Sequence, residues 1–379
     1  MKRILIVLSL VAFVSLLLIS CEENNCNCID PNKDLSQMEM KVEFEPHIAY
    51  LESGFSYVYE LYFDHVPDTN ISVERIRVRS YSGDNVDIYE FDKEFIDKSS
   101  MKLFDDKRTY LIFMWIDLDD REKAADSLVH EVLLNFPDGT TKEIIGAKTE
   151  PVNEKPIEIH PPLEYDNWLI SSGPSNYVEH RRAFLELSGH RYISQRFAID
   201  FVKYGDNKKL YDPNPNENEN YHCFGKNLLA VADGEVVALV DGLPNNTPPN
   251  KPDMHIFNAT GNYLVLKIAE ERYAFYAHII PGTFKVKIGE KVNRGEILAR
   301  LGNSGNSDAP HLHFHICTSP DALFSQGVPY VFNDYVKSGH YPGYIQDFMD
   351  DKPWTDMGKM SEPRSGIMPV NADVVNFGF

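Results

Sequence analysis

The sequence predicts a mainly β protein in two parts, an N-terminal β-sandwich-like domain followed by a second β-sheet domain. Three observations lead there. Apolar residues alternate with polar ones at a period of two in many short runs, as strands with one covered face require. The 23 prolines and 22 glycines are spread along the chain and punctuate those runs. The length of 379 residues accommodates two domains, and a hydrophobic content of 43% supplies cores for both.

Charge narrows the partners. Lys and Arg number 37 against 57 Asp and Glu, a formal net charge of −20. That balance argues against nucleic acid as a partner and against docking by charge onto an anionic membrane surface.

Residues 1–20 read as a signal rather than fold. Lys2 and Arg3 precede an uncharged apolar run from Ile4 to Ile19, shorter than the ~20 residues a membrane-spanning helix needs. The run ends in Leu18-Ile19-Ser20-Cys21, which resembles the lipobox of bacterial lipoproteins. That resemblance implies that Cys21 is acylated and becomes the mature N-terminus. Glu22 and Glu23 resemble the export signal of surface-exposed lipoproteins. The implied location is outside the cytoplasm, lipid-anchored to a bacterial outer membrane and exposed at the cell surface, with the lipid as the sole membrane contact. Residues 21–36 are polar and read as a tether. Of the five cysteines, Cys26 and Cys28 fall in the tether. Cys223 and Cys317 remain, and an exported setting permits either a disulfide between them or two buried thiols.

Residues 37–160 form the predicted sandwich. Phe55, Tyr57, Tyr59, Leu61 and Phe63 share one parity, and Ile76 and Val78 alternate with Arg75, Arg77 and Arg79. The run TYLIFMWIDL (109–118) is apolar at nearly every position, like a strand covered on both faces. Pro137-Asp138-Gly139 marks a turn between two further strands. His47, His65 and His130 are isolated from one another and read as structural. The half carries no nucleophile set, metal spacing or phosphate loop, and reads as a spacer or a wall beside the substrate.

Residues 164–345 carry the chemistry. RFAIDF (196–201) buries a carboxylate, Asp200, inside an apolar strand, which is costly unless the acid is paired or holds a metal. LLAVADGEVVAL (228–239) reads as a hairpin about Asp233-Gly234. GNYLVLKI and RYAFYAHII are two further strands, the second ending near His278. GNSGNSDAPHLHFHIC (302–317) then places His311, His313 and His315 on one strand face, with Leu312 and Phe314 on the other. Histidines at that spacing can share a site in which one holds a metal and another handles protons. DGLPNNTPPNKPDMHIF (241–257) is a proline-rich insert expected to rim the groove. Residues 346–379 form a tail whose PVNADVVNF reads as a possible final strand.

In order, Asp200 and then the pieces AxADGxV, GNxxxL, YAH and GExVxxGExLxxxGNSGNSxxPHLHF resemble the lysostaphin/LytM-type zinc metallopeptidases, whose β fold is the duplicated hybrid motif. The resemblance covers residues 195–318, and PPLEYDNW, GPSNYVEHRRA, QRFAIDFV and GVPYVF are similar to a subset of exported relatives with a β N-terminal domain. It implies a zinc metalloendopeptidase that cuts peptide crosslinks of peptidoglycan. It assigns Asp200 and His313 as zinc ligands and His278 and His311 as catalytic residues. One position departs. The family's first ligand lies four residues before the aspartate, where this chain has Arg196, which has no lone pair to offer a metal. His180 is the favoured replacement, with His315, His190 and His222 as weaker candidates. Without a replacement, Arg196 would form an ion pair with Asp200, and the protein would be a catalytically degenerate binding or regulatory lipoprotein. A third reading is a surface adhesion or scaffold protein acting through its N-terminal half.

Overall fold

The computed structural model describes residues 35–378, apart from 69, 104–107, 121–123, 251–254, 342–354 and 357–360. The signal, Cys21 and nearly all of the tether lie outside the described residues, as does part of the proline-rich insert. Among the described residues, no helix is long and apolar enough to cross a membrane.

The N-terminal half is built of two antiparallel sheets. In one, Gly54–Asp64 lies between Glu39–Lys41 and Thr109–Leu118, with Ser100–Leu103 beyond and His47–Leu51 also paired to Gly54–Asp64. The other runs Asn85–Phe91, Ser72–Ser82, Ser127–Asn135 and Thr141–Thr149. Tyr57, Tyr59, Leu61 and Phe63 from the first sheet share one core with Ile76, Val78, Val132 and Leu134 from the second. This is the alternation the sequence displays, with one parity turned to the opposing sheet. The turn at Asp138 forms as its residues dictate: the Asp138 carboxylate accepts from the Thr140 amide at 2.9 Å, and Gly139 takes φ +82°, a conformation that favours glycine. His130 is buried and bonded to the Tyr59 hydroxyl at 2.8 Å, a structural role.

The other parity of Gly54–Asp64 does not face water. Val58, Glu60, Tyr62 and Asp64 are all buried. Tyr62 packs with Leu111, Phe113 and Ile193, the last from the second half of the chain. Both central strands of this sheet are therefore covered on both faces, one by the facing sheet and one by the C-terminal half.

That half is organised on a large antiparallel sheet. Its path runs Lys291–Val292, Gly234–Val240, Tyr263–Ala269, Arg272–Ala277, Leu312–Cys317, Ile199–Lys203, Tyr165–Ser172, Asp373–Phe377, Tyr335–His340 and Thr355–Asp356. The histidine strand Leu312–Cys317 lies inside the sheet, between the strand of Asp200 and the strand that ends before His278. Leu312 and Phe314 are buried on one side, as expected, but His313 and His315 are buried on the other. PVNADVVNF does supply a strand, and it is internal: Asp373–Phe377 pairs with both Tyr165–Ser172 and Tyr335–His340.

The expected hairpin at Asp233-Gly234 does not form. Asn227–Leu229 pairs with Ile297–Arg300, whereas Gly234–Val240 pairs with Tyr263–Ala269 and Lys291–Val292. The intervening backbone is bonded elsewhere, with the Ala230 amide donating to Glu296 O at 2.9 Å and the His160 amide to Val231 O at 2.8 Å. Gly234 is required for a different reason than a turn, since a Cβ there would lie 2.5 Å from the backbone oxygen of Lys267. Cys223 and Cys317 are buried free thiols, not a disulfide.

Candidate metal centre

Strand register assembles the site. Asp200 pairs with His313 across adjacent strands, and Ala277 pairs with His313 from the other side. The chain leaves the Arg272–Ala277 strand at His278, whose φ of +63° is rare for a non-glycine residue and costs on the order of 1–3 kcal/mol. Its surroundings hold it there, because the His278 amide donates to Thr260 O at 3.2 Å and its Nδ1–H to Ser304 O at 2.7 Å.

The same turn that carries Ser304 orients His311. The His311 Nδ1–H donates to Ala309 O at 2.9 Å, with Ser307 Oγ at 3.2 Å. This leaves its Nε2 toward the site, 3.7 Å from Asp200 Oδ1. The rings of His278 and His311 lie side by side, 4.6 Å between centroids. Gly305 makes the turn possible, with φ +82° and no room for a Cβ against the backbone of Gly261. The insert ties the turn down from outside: the Asn246 side chain donates to Gly305 O and Ser307 O, both at 2.7 Å.

The third element is the four-residue helix Glu179–Arg182, which carries His180. His180 Nε2 lies 3.2 Å from Asp200 Oδ2, and His313 Nδ1 lies 3.0 Å from Asp200 Oδ1. Ligand atoms of His180, Asp200 and His313 all fall within 4.8 Å of one another. Each imidazole is held from behind as well, His180 Nδ1 by Ser172 Oγ at 3.2 Å and His313 Nε2 by His315 Nδ1 at 3.0 Å. Such partners fix which ring nitrogen points inward.

The electrostatics follow from crowding imidazoles around one acid. Burial pushes the Asp200 carboxyl up, but His180, His311 and His313 outweigh it and hold the group well below the usual range. Burial likewise disfavours a charged His180, and the Asp200 carboxylate more than reverses that, raising it. His313 and His278 are lowered chiefly by burial. Two imidazoles and a carboxylate are a tetrahedral zinc donor set with room for a fourth ligand. Both inward nitrogens can bond the acid only if protonated, and a divalent cation between them would take the place of those two protons. The donor set of His180, Asp200 and His313 therefore fits a zinc ion.

Of the other candidates, His315 supports His313 but does not reach Asp200. His190 is exposed on the strand His190–Tyr192, and His222 packs over Gly205. The alternative arrangement, an ion pair between Arg196 and Asp200, does not form. Arg196 turns away from the site and bonds Glu60 of the N-terminal half, Nε to Oε1 at 3.0 Å and NH2 to Oε2 at 2.8 Å. A permanent cation is cheaper beside a buried carboxylate than among imidazoles. Sequence reasoning missed Glu60, and also Ser172, Ser304 and Ser307, whose hydroxyls and carbonyls orient the rings. For Glu60 a signal existed, an acid inside the apolar run YVYELYF.

Residues 221–323 match Peptidase family M23, a family of peptide-bond hydrolases. The matched span includes His278, His311 and His313, while Asp200 and His180 precede it. Two curated relatives are similar over part of their length. An "Uncharacterized metalloprotease" of Haemophilus influenzae is 28% identical over 156 residues, covering 39% of this chain and 31% of that protein. Endolysin 2638A of Staphylococcus phage 2638A is 25% identical over 158 residues, covering 41% of this chain and 27% of that protein. The alignments thus span less than a third of either relative. Among solved structures, the catalytic domain of lysostaphin from Staphylococcus simulans aligns at 21% identity over 43% of this chain and 88% of that one, with a TM-score of 0.25.

Proposed function

We propose that this chain is a zinc-dependent metalloendopeptidase that cleaves the peptide crosslinks of peptidoglycan. The observation that carries the reading is the convergence of His180, Asp200 and His313, with donor atoms within 4.8 Å, beside the paired rings of His278 and His311. The M23 domain and the metalloprotease and endolysin relatives supply the substrate class.

When bound, zinc supplies a Lewis acid that polarises the scissile carbonyl and acidifies water. The chain's own residues do the rest. With Nδ1–H given to Ala309 O, His311 presents a bare Nε2 that takes a proton from the attacking water. The resulting imidazolium returns that proton to the leaving amine. His278, fixed by Ser304 O, presents its own Nε2 beside His311 and holds the water or, once protonated, the developing oxyanion. The hydrogen bonds to Thr260 O and Ser304 O hold that ring in place despite its strained backbone.

The reading places the protein outside the cytoplasm, tethered through a lipid on Cys21 to a bacterial outer membrane. Its support is the Leu18-Ile19-Ser20-Cys21 sequence. Mass spectrometry of the mature N-terminal peptide tests this, and an unmodified or uncleaved Cys21 would remove it. The enzymatic reading is tested by metal analysis of the purified chain together with digestion of crosslinked peptidoglycan. One zinc per chain and release of cleaved crosslinks are expected. A chain with no zinc and no cleavage would overturn the reading, and wall binding without catalysis would replace it.

A further inference from the structure

The segment carrying His180 has little to hold it locally. A four-residue helix is far below the length at which helices persist alone, and its N-cap residue Val178 makes no side-chain cap. Its fastening comes from the N-terminal sandwich. Arg181, the next residue after His180, is fully buried and bonds the Glu60 carboxylate, Tyr59 O at 2.7 Å and Met114 O at 3.5 Å. Arg182 reaches Lys98 O at 2.7 Å and lies over the Phe113 ring.

The segment leading into Asp200 is fastened to the same point. Arg196 bonds both oxygens of Glu60 and also Gly327 O at 2.7 Å and Gln326 Oε1 at 2.9 Å. One buried carboxylate therefore ties together the segment of His180 and the segment of Asp200. Two buried guanidinium groups share that one acid, and every other hydrogen-bond partner the pair has is a carbonyl oxygen. Removing the acid would leave two buried cations to repel each other and pull the segments apart.

We propose that Glu60 is a positioning residue for the metal centre: it sets the separation of His180 from Asp200, so that the N-terminal sandwich completes the zinc site without touching it. The proposal rests on the zinc reading above. It assigns the N-terminal half a part in metal affinity, where the sequence suggested a spacer or a wall.

The test uses the full chain, with zinc affinity measured by competition with a chromophoric chelator and coordination followed by the visible spectrum of the cobalt(II) form. Glu60→Gln and Arg181→Met are expected to weaken zinc by about 10- to 100-fold, as losses of outer partners do, and to change the cobalt band intensity. Arg181→Met keeps the Glu60–Arg196 pair and guards against a Glu60→Gln chain that does not fold. Arg181→Lys should recover part of the loss. Ile76→Ala, which destabilises the sandwich core away from Glu60, should lower the melting temperature and leave zinc affinity unchanged. Wild-type affinity in folded Arg181→Met would overturn the proposal, as would an equal loss in Ile76→Ala. Failure of the wild-type chain to take up zinc or cobalt would overturn the zinc reading itself, a separate result.

Discussion

Two of the acids inside apolar strands of this molecule, Asp200 in RFAIDF and Glu60 in YVYELYF, differ in their surroundings. Asp200 is met by imidazoles, from His180, His311 and His313. Glu60 is met by guanidinium groups, from Arg181 and Arg196. An imidazole can give up its proton and offer a lone pair, whereas a guanidinium cannot. The first arrangement can exchange its protons for a cation, and the second is a permanent clasp. A buried acid in a strand thus signals that something must compensate it, and the partner type decides whether the result is a reactive site or a fastening.

Substitutions should separate the two acids. The largest effect is expected at the imidazole side: His313→Ala or His180→Ala should lose stoichiometric zinc and with it all cleavage, measured by elemental analysis and crosslink digestion. Retained zinc in both would remove the distinction. Next, His311→Ala should keep zinc and lose roughly 10²–10⁴-fold in turnover, the usual worth of a general base. Turnover near wild type would take His311 out of proton transfer.

The clasp should behave in the opposite manner to a reactive site. Glu60→Gln alone should cost about 3–5 kcal/mol in denaturant unfolding, because it strands buried charge, while the triple change Glu60→Leu, Arg181→Met, Arg196→Met should cost far less. A triple variant as unstable as the single one would show that the charges themselves are required.

The clasp also has a pH signature. Burial raises the Glu60 carboxyl, but Arg196 and Arg181 outweigh it and hold it at about 2 against an ordinary 4.5. A depressed acid contributes stability that is full above about 4.5 and is lost as pH falls toward 2, worth about 3 kcal/mol. Asp200 shifts in the same direction. Urea midpoints should therefore fall between pH 6 and pH 3 in the wild type and fall less in Glu60→Gln. Equal falls would mean that other carboxylates dominate. The smallest effect is expected for Ser172→Ala, which removes one hydrogen bond behind His180, about 0.5–1.5 kcal/mol or up to tenfold in zinc affinity. No change there would mean the helix alone orients the ring.

Much of this was legible in the sequence because it is local. The parity of Tyr57, Tyr59, Leu61 and Phe63, the histidine spacing at 311, 313 and 315, and the carboxylate in RFAIDF all follow from a period of two. What was not legible depends on pairings distant in sequence. Arg196 lies 136 residues from the acid it bonds, and no spacing rule announces such a partner. In the sequence the acid beside Arg196 is Asp200, which is not its partner. Glu60 is hidden because the opposite parity of its strand carries the visible alternation, although both faces are buried. The Asp233-Gly234 pair misled for a related reason, since its glycine answers to a neighbouring strand rather than to a turn.

The strand Asp373–Phe377 follows every site residue in the chain, yet it lies inside the large sheet, hydrogen-bonded to Tyr165–Ser172, which in turn pairs with the strand of Asp200. A polypeptide still emerging from a ribosome or a translocation pore would present Tyr165–Ser172 with a bare edge until these residues arrived. The sheet that carries the site is thus completed only by residues that follow all of the site's side chains in the chain.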